Sequence, residues 1–232
     1  MKIVTFNTQH CKNFIEQRID FDIMAQTIKL FDPDIVALNE MRGEGTALEH
    51  DDQVGILAKL TGISNSYFAK ASGEFGVNPY GNGLLTKYKI VSVETVMIPD
   101  PAEKTGSRYY ETRCILKANL ENGVTVLVAH FGLNKDEQEN AVATVIANLA
   151  PEKCILMGDF NVTPDNEVLL PIRERMKDTA ENFCADKLSF PSDRPEIKID
   201  YIFVSPDVRV ISADIPDIIA SDHRVHIAEI DI

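Results

Sequence analysis

Ile155-Leu156-Met157-Gly158-Asp159-Phe160-Asn161 passes from an apolar run into a glycine turn, then sets a carboxylate and an amide two residues apart. Cys154 to Met157 reads as a buried strand that ends at the glycine. Residues two apart at a strand end leave it on the same side, so Asp159 and Asn161 are expected to face one site. There the carboxylate can orient a nucleophilic water or bind a metal, and the amide can donate to a phosphoryl oxygen. The competing reading is an Asx-turn that merely terminates a strand.

Outward from this stretch, similar runs of aliphatic and β-branched residues recur in both directions. Strands are predicted over Lys2 to Asn7, Asp34 to Leu38, Asn82 to Thr86, Ile90 to Met97, Arg113 to Leu120, Val124 to His130, Ile199 to Val204 and His226 to Ile230. Helical spacing places Phe21, Met24, Ile28 and Phe31 on one face, Val54, Leu57 and Leu60 on a second, and Ala141, Val145 and Leu149 on a third. Pro164, behind a Thr163 cap, suits the first turn of a short fourth helix. Many strands with a few interspersed helices predict an α/β sandwich, two sheets packed face to face with helices outside. No low-complexity linker or repeat divides the chain, so residues 1–232 are read as a single domain.

Three further polar clusters stand at predicted strand ends. Ser221-Asp222-His223 precedes the final strand, and Asp200-Tyr201 opens an earlier one. A histidine with a carboxylate partner, here Asp200 or Asp222, keeps one tautomer and can stay cationic against a phosphoryl group or shuttle a proton. Asn7 ends the first strand and Glu40 follows the second, an oxygen-donor pair suited to a hard cation such as magnesium. Val128-Ala129-His130-Phe131 ends another strand in a histidine, for which a satisfied core position is the competing reading.

Composition limits the partners. The 232 residues carry a formal net charge of −13, which opposes long-range attraction to nucleic acid or an anionic membrane. Carboxylates gathered around divalent metal reverse that local field, so the charge does not exclude a polyanionic substrate. The four cysteines, Cys11, Cys114, Cys154 and Cys184, are scattered and read as buried free thiols. No stretch reaches membrane-span length and no secretory cleavage pattern opens the chain, so a cytoplasmic protein without membrane insertion or an obligate protein partner is expected.

Asn7, Glu40, Glu111-Thr112-Arg113, His130, Gly158-Asp159-Phe160-Asn161, Asp200-Tyr201 and Ser221-Asp222-His223 together resemble, in order, the motifs of the endonuclease/exonuclease/phosphatase superfamily of pancreatic-type DNases, abasic-site endonucleases, inositol polyphosphate 5-phosphatases and bacterial sphingomyelinases. The resemblance implies a four-layer α/β sandwich of two mainly antiparallel sheets flanked by helices. It implies Glu40 as main metal ligand, with Asn7 at the metal or its water and Asp222 or Asp159 holding a second ion. Asp159 resembles the acid that positions or deprotonates water, Asn161 the amide that grips phosphate, and His223 the site histidine paired with Asp200. His130 matches a second histidine that abasic-site endonucleases lack; Glu111 would orient it, and Arg113 would clamp or support the phosphate. Asn39 stands where the family usually has glutamine and Phe131 where leucine is common, so a bond from the shorter Asn39 side chain is in question.

The activity so implied is hydrolysis of a phosphodiester or phosphomonoester by an activated water in the presence of Mg2+, with Mn2+ as a substitute, on a small soluble substrate. A nuclease or abasic-site endonuclease acting on DNA is the second reading; it would use basic residues such as Lys104, Arg108 and Arg113, with Tyr109-Tyr110 stacking a base. A catalytically inactive binding module is the third, and it would predict a gap in the polar set. Gly81-Asn82-Gly83 and Ser189-Phe190-Pro191-Ser192 are read as ordinary turns.

Overall fold

A computed structural model describes residues 1–74 and 77–232. Fourteen strands are β1 (Lys2–Asn7), β2 (Lys12–Asn13), β3 (Arg18–Ile19), β4 (Ile35–Arg42), β5 (Asn65–Glu74), β6 (Asn78–Thr86), β7 (Ile90–Met97), β8 (Cys114–Leu120), β9 (Thr125–His130), β10 (Cys154–Asp159), β11 (Lys177–Asp178), β12 (Asp200–Val204), β13 (Arg209–Asp214) and β14 (His226–Asp231). The helices are α1 (Phe21–Lys29), α2 (Gln53–Thr61), α3 (Lys135–Asn148) and α4 (Leu170–Arg173), the last entered through a 3-10 turn at Glu167–Leu169.

Two six-stranded sheets form, ordered β13-β14-β1-β4-β6-β5 and β11-β12-β10-β9-β8-β7, with a small β2-β3 hairpin apart. Each large sheet holds one parallel pair, β1 with β4 and β9 with β10, and its other pairs are antiparallel. Side chains alternate across each strand, which sorts the apolar residues into three layers. Ile3, Ile35, Ala37, Leu116, Val126, Val128, Ile155, Met157 and Ile202 fill the space between the sheets. Val4, Phe6, Val36 and Leu38 turn the other way onto Met24, Ile28 and Leu57 of α1 and α2. Leu127, Leu156, Phe160, Tyr201 and Phe203 pack outward with Ala141 and Val145 of α3 and Ile172 of α4. The result is the helix–sheet–sheet–helix sandwich.

The helices begin as local chemistry requires. Asp20 and Asp52 accept from the backbone N–H of Ile23 and Gly55 to cap α1 and α2, and Asn134 with Glu137 closes a capping box at α3. The expected fourth helix is displaced. Thr163 donates to the Asp165 side chain instead of capping, Asn166 caps the 3-10 turn, and Pro171, not Pro164, occupies the first turn of α4. In α2 the buried face is Val54 and Leu57, while Leu60 is exposed. Phe31 lies past the end of α1, half-buried against the same cluster as Met24. Gly81-Asn82-Gly83 is no turn; it lies inside β6, which starts four residues earlier than expected. All four cysteines are buried and free. Among the described residues no helix is long and apolar enough to cross a membrane.

Candidate active site

The layer between the sheets is apolar along most of its length and becomes polar at one end. The alternation that puts Ile3 between the sheets puts Asn7 there too, and the same rule carries Ile35 and Ala37 to Asn39, Val126 and Val128 to His130, and Ile155 and Met157 to Asp159. Register then aligns them. Asp159 lies opposite His130 on one side and Asp200 on the other, a row across β9, β10 and β12, while Asn7 lies opposite Asn39 in the facing sheet.

Two backbone exceptions aim the remaining groups. A bulge between Leu38 and Met41 sets two residues of β4 against Asn82 of β6, and Glu40 there takes φ +59°. Asn39 keeps the inward direction of the alternation, and the bulge brings the next residue, Glu40, to the pocket as well, which regular strand alternation would not do. Gly158 has φ +143°, and a Cβ there would lie 1.8 Å from the Ala129 carbonyl oxygen, so only glycine lets β10 come this close to β9. Asn161 follows at φ +51°, its amide donating to Phe131 O at 3.0 Å.

At the centre, the Asn7 amide donates to Glu40 Oε1 and Asp159 Oδ2, each at 3.0 Å, while its oxygen accepts from Gln9 N–H. Asn7 therefore holds the two carboxylates together. Asp159 Oδ2 also lies 3.4 Å from His130 Nε2 and 3.7 Å from His223 Nε2. Burial raises Asp159 to about 7, with the Asp200 charge in the same direction against His223, the Asn161 N–H and Asn7. Burial would lower His223, but Asp200, at 2.9 Å from Nδ1, and then Asp159 carry it up to about 10, so the ring is cationic at neutral pH. His130 is opposite in sense: burial, then the neighbouring Arg113 charge, hold it well below the ordinary histidine range.

Further out, Glu111 does not touch His130. It pairs with Arg113 Nη2 at 2.8 Å, and Arg113 Nη1 reaches His130 Nδ1 at 2.9 Å and the Tyr80 hydroxyl at 3.4 Å. Tyr110 is turned away onto α3, donating to Asp136 at 2.7 Å, and Tyr109 is exposed. Asp222 accepts from Ser221 Oγ at 3.0 Å, and burial followed by the Glu40 charge raises its carboxyl.

Among the described residues two groups could hold a metal ion, Glu40 with His130 and Asp159, and Asp159 with Asp200 and His223, the ligand atoms of each lying within 4.8 Å of one another. Asp222 belongs to neither. Hard carboxylate oxygens from Glu40 and Asp159, and an Asp200 Oδ1 that is buried without a hydrogen-bond partner, fit a divalent cation.

Sequence reasoning left the bond from Asn39 in question and missed four further supporting residues, Asn82, His10, Ser189 and Phe190. Asn39, fully buried, donates to Asn82 Oδ1 at 2.9 Å and to Ala129 O at 3.0 Å, and accepts from Asp159 N–H at 2.9 Å. Its shorter side chain therefore loses no bond. Asn82 passes the link on to Cys114 O, also at 2.9 Å. His10 sits with Nδ1 3.0 Å from the Glu40 carbonyl and Nε2 3.6 Å from its carboxylate. Ser189 Oγ accepts from the N–H groups of Ile199 and Asp200, and Phe190 packs on the His223 ring, so this loop buttresses the site rather than merely turning. The Gly-Asn-Gly and Ser-Phe-Pro-Ser patterns were the only visible traces.

The profile of the Endonuclease/Exonuclease/phosphatase family matches residues 4–223. The chain belongs to that family. Similar solved structures include an endonuclease/exonuclease/phosphatase family protein from Leptotrichia buccalis, 22% identical over 100% of both chains, TM-score 0.75. A mannosyl-6-phosphatase from Bacteroides thetaiotaomicron is 17% identical over 100% of both, TM-score 0.78. The human Nocturnin catalytic domain with bound sulfate is 17% identical over 100% of this chain and 94% of that one, TM-score 0.74. No curated protein matches the chain. At these identities the structures share the family's fold with this chain. The family comprises hydrolytic phosphoesterases, and the acidic and histidine groups gathered here supply a possible metal centre.

Proposed function

We propose that the protein hydrolyses a phosphoester of a small soluble molecule with the aid of Mg2+, for which Mn2+ substitutes. The observation that carries this reading is the row His130–Asp159–Asp200, faced by Asn7 and Glu40 from the other sheet and closed by His223. Glu40 and Asp159 would hold the ion, with Asn7 keeping them in place. When bound, the cation neutralises phosphoryl charge and acidifies water.

The chain's own groups supply the rest. Asp159 takes a proton from the attacking water as its oxygen bonds to phosphorus, and the ester oxygen departs on the opposite side with the electron pair of the broken P–O bond and is protonated by solvent water. Cationic His223, locked by Asp200, stabilises charge on the phosphoryl oxygens, and Asn161 adds an amide donor. The net charge of −13 supports a compact substrate over a polynucleotide.

The test is a panel of bis-p-nitrophenyl phosphate, p-nitrophenyl phosphate, sugar phosphates, inositol phosphates, sphingomyelin and plasmid DNA, with Mg2+, Mn2+ or chelator. Asp159→Asn and His223→Ala should each lower the rate at least about a hundredfold. No cleavage of any phosphoester with either metal overturns the reading, and preferred cleavage of plasmid DNA replaces the small substrate with a nucleic acid.

A further inference from the structure

The two site histidines are anchored by groups of opposite charge. His223 Nδ1 faces a carboxylate, whereas His130 Nδ1 lies 2.9 Å from an Arg113 guanidinium nitrogen. A guanidinium has only N–H donors and does not lose its proton, so the imidazole nitrogen it meets must present a lone pair. His130 then carries its single proton on Nε2, which points to Asp159 Oδ2 at 3.4 Å.

Arg113 has little freedom to let go. Its side chain is 11% exposed, its second terminal nitrogen is paired to Glu111 at 2.8 Å, and its guanidinium lies over the Tyr80 ring. Glu111 is fixed in turn, because its N–H donates to Glu137 Oε1, and Glu137 Oε2 accepts from the N–H and amide of Asn134 in the α3 capping box. Glu111 thus acts on Arg113 and only through it on His130.

We infer that Arg113 is a positioning residue that fixes the His130 ring with its Nδ1 lone pair on the guanidinium and its Nε2 N–H toward the pocket, where it can donate a hydrogen bond to the phosphoryl group. The inference rests on the phosphoester reading above for what His130 contacts, but the tautomer itself does not depend on it. Protonating Nδ1 would set an N–H against the Arg113 N–H at hydrogen-bond distance, and the site offers that proton no acceptor. The Asn161 amide nitrogen, 3.3 Å from Nε2, is itself only a donor and gives one of its two N–H groups to Phe131 O, so the acceptor that the Nε2 proton finds is Asp159 Oδ2.

The experiment is long-range 1H–15N correlation of the histidine rings in the full-length 15N-labelled protein at pH 7, with His130 assigned from the spectrum of His130→Gln. The expected result is an unprotonated, pyridine-like Nδ1 beside a protonated, pyrrole-like Nε2. Arg113→Met should erase this signature and lower kcat at least about tenfold with KM little changed, and Arg113→Lys, which keeps a donor, should restore part of both. A His130 protonated on Nδ1, or on both nitrogens, overturns the inference, as does an Arg113→Met protein with an unchanged spectrum. Should Arg113→Met not fold, the wild-type spectrum alone decides. Because the spectrum involves no substrate, failure of the hydrolase reading leaves this result standing and the two are told apart.

Discussion

Replacing Asn39 by alanine tests whether the active end of the sandwich is held by a single amide. The side chain is fully buried and makes three bonds of 2.9, 3.0 and 2.9 Å, to Asn82, Ala129 and the Asp159 N–H. At about 1 kcal/mol net per bond, plus about 1 to 2 kcal/mol for leaving buried partners unsatisfied, Asn39→Ala should cost roughly 3 to 5 kcal/mol. That is a large share of the total for an ordinary domain, about 5 to 15 kcal/mol. In urea the midpoint should fall by between about 1 and 2 M at an unchanged slope. Asn82→Ala breaks the shared bond and the one to Cys114 O, for about 2 kcal/mol, and the double variant should fall short of the sum by roughly 1 kcal/mol because the two share a bond. Activity on the best substrate of the panel should fall in Asn39→Ala at denaturant-free conditions where it is still folded, since the Asp159 backbone loses its anchor. A loss below about 1 kcal/mol, or strict additivity with Asn82→Ala, would refute the claim that this amide ties the sheets together.

Other perturbations have defined signs. His226, buried with the Thr179 hydroxyl and Asp200 carbonyl at 3.3 Å each, is lowered to about 4 by burial and then by Lys198, so it is neutral in the fold. As pH falls from 6.5 towards 4 only the unfolded chain gains that proton, and roughly 3 kcal/mol of stability should be lost in that window, none of it above. The measurable quantity is the wild-type minus His226→Gln difference in unfolding free energy, and a flat difference between pH 7 and 4.5 would contradict it. Gly158→Ala must find room for a methyl carbon 1.8 Å from a carbonyl oxygen at φ +143°, and it should cost more than about 3 kcal/mol or prevent folding; a thermal midpoint within a degree of wild type would be inconsistent with the close strand approach. Mg2+ at a hundred times its dissociation constant should raise the midpoint by about 5 to 10 °C through selective binding to the folded state. Glu40→Gln should abolish most of that shift, and an equal shift in both proteins would remove Glu40 from the metal site.

Much of the site was legible because a polar residue interrupts a period-two apolar strand at its last position: Asn7, His130 and Asp159 each do so. Asp200 and His223 showed themselves by their flanking motifs. Of the edge strands, β7 was legible with its full bounds, but those of the other sheet were not. β5 and β13 stand at the two ends of one sheet, so only one side of each is paired, and their mixed residues show no sustained apolar run. Asn39 stood out only through the family resemblance and its bonds were not legible, because an amide inside an apolar strand declares itself only through partners 43, 90 and 120 residues away. His10 was invisible for a related reason: it reaches Glu40 by way of three consecutive left-handed residues, Gln9, His10 and Cys11, which periodicity does not encode. Glu111 was placed in the right neighbourhood with the wrong contact, since only coordinates reveal that Arg113 stands between it and His130.

The pairing of β1 with β14 joins Lys2 to Glu229 and Thr5 to His226, nearly the full length of the chain apart. During synthesis, therefore, the strand that carries Asn7 leaves the ribosome with one flank bare and stays so until β14 has been made. Glu40 and Asp159 are already present in that nascent chain, but His223 arrives only just ahead of β14, and closing so distant a contact is entropically slow. Assembly of the pocket is thus a late event of folding: a chain cut short before residue 221 would hold Glu40, Asp159 and Asp200 and still lack both His223 and the strand that flanks Asn7.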